Sequence, residues 1–155
     1  LFYSGRGHEK YYKILKQYIP EENWMKTVDK MLQKLTFGSG LLGFNHFRAK
    51  ILVENERWEE LLEQCQISGV QYVEEFEKYF RPRFDEQLYK IYLSYIEEQA
   101  NITKQEAYEN VGRVLQRLKT FANGKEKVQE LIALYRTTYK RRSNMMKVLD
   151  KVAVK

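Results

Sequence analysis

The chain has 155 residues, 43% of them apolar and 31% charged, with a net charge of +6. That length and balance describe one folded domain rather than a disordered segment, and roughly 70% of the unfolded surface is buried at this size without disulfides or metals. Two prolines, eight glycines and one cysteine exclude a disulfide framework or a multi-thiolate zinc site and favour long helices over short strands.

The apolar spacing is helical nearly throughout. From His8 to Ile19, one face carries Tyr11, Tyr12, Leu15, Tyr18 and Ile19. Pro20 suits the start of a second helix, where its missing N–H costs nothing, and Trp24, Val28, Met31, Leu32 and Leu35 follow at spacings of three and four. Thr36 to Gly43 is a glycine-rich break. Phe44, Phe47, Ile51 and Leu52 come next, then a polar corner at Glu54-Asn55-Glu56.

Trp58, Leu61, Leu62 and Cys65 form the next stripe, stopped by Gly69. Tyr72, Phe76, Tyr79 and Phe80 line a helix that Pro82 ends. Asp85 suits the cap of a helix bearing Leu88, Ile91, Tyr92 and Tyr95. Thr103 with Glu106 has the capping-box pattern, ahead of Ala107, Val111, Val114, Leu115 and Leu118. After Asn123-Gly124 come Val128, Leu131, Ile132, Tyr135 and Tyr139; Ser143 then suits the cap of a last helix with Met145, Val148, Leu149 and Val152.

This predicts an all-α chain of about nine helices with no sheet. Short loops make neighbours antiparallel, so the expected architecture is a short α-solenoid of stacked helix pairs, tetratricopeptide-like, with a compact helical bundle as the alternative. Ala49 through Trp58 to Leu62 resembles one helix-turn-helix unit of such repeats, but no period recurs. No internal boundary shows, so residues 1–155 are expected to form one domain. The start at Leu1 suggests a piece of a longer protein. The mid-stripe residues Trp58, Leu62, Tyr92, Leu115 and Tyr135 are expected to be buried, and Tyr89 and Tyr108, off the stripes, exposed.

No motif for catalysis or a cofactor emerges. Gly38 to Gly43 matches G-x-G-x-x-G, but a helix rather than a strand precedes it, so a turn is the better reading. His8 and His46 have no neighbours at metal-ligand spacing, and no bound zinc is expected. Cys65 lies on an apolar stripe beside Glu63 and Gln64, the setting of a structural thiol. Glu59-Glu60, Glu74-Glu75 and Glu97-Glu98 point about 100° apart in a helix and do not converge. The chain is therefore read as neither an enzyme nor a cofactor binder, and no small-molecule substrate is evident. With no apolar run of about 18 residues and one cysteine, no membrane span and a cytoplasmic location are expected.

Charge is the one positive signal. Residues 1–80 hold 11 Lys/Arg and 12 Asp/Glu, whereas residues 113–155 hold 12 and 3. Arg136, Lys140, Arg141, Arg142, Lys147 and Lys151 are expected to form one surface for an anionic partner, a protein or, alternatively, nucleic acid.

Two blocks carry a family resemblance. Phe76-Glu77-Lys78-Tyr79-Phe80 with Pro82-Arg83-Phe84 resembles a YEKYL…RYP block. Leu131-Ile132, Tyr135, Tyr139-Lys140-Arg141-Arg142-Ser143 and Leu149 resemble an LI…L…YPRRPALL…L ending. Both are similar to the helical region of bacterial SWIM zinc-finger proteins, over about residues 50–152, with departures at Lys140 and Asn144. The resemblance implies a C-x-C…C-x-H zinc finger, which this sequence does not contain, and a DNA- or protein-binding role that maps onto none of its residues. The reading that results is a non-catalytic interaction or scaffolding domain, with a nucleic-acid-binding accessory domain as the alternative.

Overall fold

The structure, a computed structural model, describes residues 5–35 and 43–154. Helices hold about four-fifths of the described residues, and no strand occurs among them. The all-α reading is correct, and within each unit most neighbouring helices pack on one another. The Gly38 to Gly43 turn lies outside the described residues except for Gly43, whose φ is +72°. Helix contacts form two compact units, Leu1–Phe80 and Arg81–Lys155.

The first unit holds α1 (Gly5–Tyr18), α2 (Glu21–Lys34), α3 (His46–Glu54), α4 (Trp58–Ser68) and α5 (Val70–Phe80). The short α3 is the hub and touches α1, α2 and α4. Asn45 starts it: its side-chain oxygen accepts from the Arg48 N–H at 2.9 Å, the N-cap bond that satisfies one orphan donor. Ala49, Ile51 and Leu52 then face inward. Arg48 is buried with them, and its Nη1 donates to Gln64 Oε1 at 2.5 Å, while Gln64 Nε2 donates to the Asn45 carbonyl at 3.1 Å. The polar corner also has a structural role. Asn55 donates to the Tyr12 hydroxyl and accepts from Trp24 Nε1, both at 3.0 Å, so one amide ties α1 and α2 to the end of α3.

The stripe predicted for α1 is thinner than expected. Tyr12 is buried, but Tyr18 is 80% exposed. Trp58 opens α4 and is only half-buried, stacked on Tyr79 at 5.8 Å; the first turn of a helix lies at the core's edge even when its position fits the stripe. Cys65 is fully buried, and burial, with Glu75 nearby, pushes its thiol up to about 12, so it stays protonated and unreactive.

The second unit holds α6 (Asp85–Asn101), α7 (Gln105–Leu118), α8 (Gly124–Thr138) and α9 (Ser143–Val154). Here α7 is the hub, packed on α6, α8 and α9. It buries Ala107, Val111, Val114, Leu115 and Leu118 as its spacing predicts. It also buries Tyr108, against the expectation of exposure: a helix with neighbours on three sides has a wider inward face than one stripe. Gly112 belongs to that face. A Cβ there would lie 2.6 Å from Val148 Cγ1 of α9, so the bare backbone lets α7 and α9 approach closely. Leu62, Tyr92, Leu115 and Tyr135 are all buried, as predicted.

Three helix starts differ from the reading, one of them α9, whose first helical residue is Ser143 rather than a cap before it. The Thr103 box does not form; Lys104 occupies the N-cap of α7 with no side-chain bond. Asp85 lies inside α6 rather than capping it, and Arg81 Nε donates to its carboxylate at 2.9 Å. The inward line of α6 runs Leu88, Tyr92, Ile96 and Ala100, leaving Ile91 and Tyr95 half-buried.

Candidate anionic-partner surface

All six predicted cations lie in the second unit, on α8, α9 and the turn between them. The sequence forms that turn because Tyr139 and Arg142 clamp it. The Tyr139 hydroxyl donates to Asn101 Oδ1 at 3.1 Å, and Arg142 Nη1 donates to the Ala100 carbonyl at 2.8 Å, with its guanidinium 4.2 Å from the Tyr139 ring. Ala100 lies in the last turn of α6, whose terminal carbonyls lack helical partners and carry the negative end of the dipole. Arg142 is thus half-buried and spent on capping α6.

Arg136 is also committed in part. Its Nη2 donates to Asp150 Oδ1 at 2.8 Å, a bond from α8 to α9. Asp150 is the member that the sequence reading leaves out. Lys147 lies about one turn before Asp150 on α9. Lys151 follows Lys147 at i+4.

The other four, Lys140, Arg141, Lys147 and Lys151, are exposed, with no hydrogen bond or ion pair to any described residue. The six therefore divide into one internal clamp, one inter-helix tie and four free cations. Tyr135, one residue before Arg136 on α8, is buried, and burial, then Tyr139 and Glu97, push its phenol up to about 12.

Among the described residues, no three His, Cys, Asp or Glu side chains group so as to hold a metal ion. His46 meets Glu75 at 3.4 Å on an exposed face, and Glu60 pairs with Arg57. No helix among the described residues is long and apolar enough to cross a membrane. No protein family, curated protein or solved structure matches the chain.

Proposed function

We propose that the chain is a non-catalytic helical interaction domain, stacked in the manner of helical repeats, which holds an acidic protein partner on the second unit. The observation that carries this is the set of four exposed cations, Lys140, Arg141, Lys147 and Lys151, with no partner among the described residues. Charges of this kind are free to meet an opposite charge without first breaking a bond, and they raise association rates more than they add stability. The single buried thiol suits a cytoplasmic setting.

A second reading, a nucleic-acid-binding accessory domain, is favoured by the consecutive pair Lys140-Arg141 in an exposed turn. Salt dependence tests both. Four phosphate contacts give a log–log slope of about −3.6 on duplex DNA, at about 0.9 per neutralised phosphate. Fluorescence anisotropy of labelled polyglutamate and of a labelled duplex, at two salt concentrations, decides the matter. Polyglutamate binding that the fourfold charge reversal at Lys140, Arg141, Lys147 and Lys151 abolishes supports the first reading. Tighter duplex binding with that slope supports the second, and no binding of either at low salt overturns the assignment of this face. Membership of the SWIM zinc-finger family is a further proposal, which a C-x-C…C-x-H segment in the full gene product checks.

A further inference from the structure

A groove of about 460 Å³ runs along α8 beside the last turn of α9. It is lined on α8 by Lys125, Gln129, Ala133 and Arg136, at spacings of four, four and three, so these side chains form one stripe of the helix. Val128 and Ile132, both buried, form the floor, and the small, exposed Ala133 and Ala153 leave the groove open. Lys119 stands at one wall, its Nζ donating to the Val152 carbonyl at the end of α9.

The lining charges are all positive. Lys119, Lys125 and Arg136 line the groove, and no carboxylate does. Lys125 is exposed with no partner among the described residues. Arg136 is held in place by Asp150 yet keeps 47% of its side chain exposed, so donors remain free on a pre-oriented guanidinium.

Lys125 and Arg136 are eleven residues apart in sequence, a rise of about 16 Å along the helix. An extended peptide spans that distance in roughly five residues. Between the two cations lie an amide and an apolar floor, which match a polar backbone and one apolar side chain. A phosphodiester strand fits less well. A continuous polyanion must also carry charge past Glu126, Glu130 and Asp150 on the same helices, whereas a peptide can place its two carboxylates at the cations alone.

Resting on the interaction-domain reading, we propose that this groove is the docking site of an extended acidic segment of a protein partner, with two carboxylates about five residues apart and an apolar side chain between them. The probe is a synthetic peptide with two glutamates at that spacing and a central leucine, set against its diglutamine counterpart and an oligothymidylate. Titrated into the ¹⁵N-labelled chain, the glutamate peptide shifts the amides of Lys125, Gln129, Ala133 and Arg136. The diglutamine peptide binds at least tenfold more weakly. Ala133→Trp, which fills the groove from an exposed position, and Lys125→Glu each weaken binding at least tenfold, with circular dichroism showing both variants folded. Shifts that fall elsewhere, no binding at millimolar peptide, or oligothymidylate saturating these amides at lower concentration overturn the groove assignment. If Ala133→Trp leaves peptide binding intact while the fourfold reversal of the free cations abolishes it, the groove is wrong and the interaction domain stands. If neither peptide nor polyglutamate binds anywhere, both fall.

Discussion

The two units spend their charge differently. Residues 1–80 carry 11 basic against 12 acidic residues, and residues 81–155 carry 16 against 9. In the first unit, Arg57 pairs with Asp29 and Glu60, Lys50 with Glu9, His46 with Glu75, and Arg48 is buried on Gln64. Its buried polar side chains, Arg48, Gln64 and Glu77, have no buried polar counterpart among the described residues of the second unit. The second unit buries no whole charged side chain among the described residues, though the Tyr135 hydroxyl and Arg117 Nε lie inside it. Both units pair part of their charge, but the second carries a net excess of seven cations, three of them consecutive at Lys140-Arg141-Arg142. That contrast, rather than the overall charge of +6, locates the candidate surface.

The largest expected effect tests the core of the second unit. Leu115, fully buried on the hub helix α7, costs about 2–5 kcal/mol on truncation to Ala, by lost transfer energy and the cavity left behind. Urea unfolding measures it, and a loss under about 0.5 kcal/mol, the usual size of a surface substitution, means that α7 does not centre this unit. Gly112→Leu tests the close approach of α7 and α9. The first added carbon already meets Val148, so overpacking costs about 1–3 kcal/mol, and a neutral result means that α9 does not lie so near.

The third prediction separates the units by pH. Cys65 in the first unit and Tyr135 in the second both have folded values raised to about 12, from ordinary values of 9.0 and 10.0. Each favours the folded state while neutral. That stability is fully present below the unfolded value and is lost as pH rises towards the folded one, because the unfolded chain ionises first. The first unit therefore begins to weaken above about pH 9 and the second above about pH 10. Thermal melts at stepped alkaline pH, with Cys65→Ala and Tyr135→Phe, check it: Cys65→Ala removes the earlier onset, and an unchanged profile counts against the buried thiol.

Much of this is written in the sequence. The stripes of α7, α8 and α9 name the core of the second unit almost residue by residue, because periodicity of 3.6 is a local signal. What stays hidden depends on distant partners. Arg142 reads as one more cation in a basic run, yet its acceptor, the Ala100 carbonyl, is 42 residues away. Trp24, Asn55 and Tyr12 meet across 31 and 43 residues, which no spacing rule reveals. Helix starts slip for a related reason. Thr103 has the right residue three positions before Glu106, but the chain continues extended through Lys104 and begins helix one residue later than that box needs.

The smallest effect on stability is also the sharpest test of the division among the cations. Arg141 and Arg142 are adjacent, of one residue type, and alike in any count of charge. Arg142 donates to a helix-terminal carbonyl and stacks on Tyr139, so Arg142→Ala gives up a charged hydrogen bond and a cation–π contact. Bonds of the first kind contribute about 1.5–3 kcal/mol and contacts of the second about 0.5–1 kcal/mol at exposed sites, so a loss of about 1–2 kcal/mol is expected after partial solvent screening. Arg141 is exposed with no partner among the described residues, so Arg141→Ala changes stability by less than about 0.5 kcal/mol. On polyglutamate binding the order reverses: Arg141→Ala weakens it, and Arg142→Ala, measured at a temperature where that variant is folded, changes it less. Equal effects of the two on both measurements mean that the turn is not clamped and that all six cations form one undivided, solvated patch.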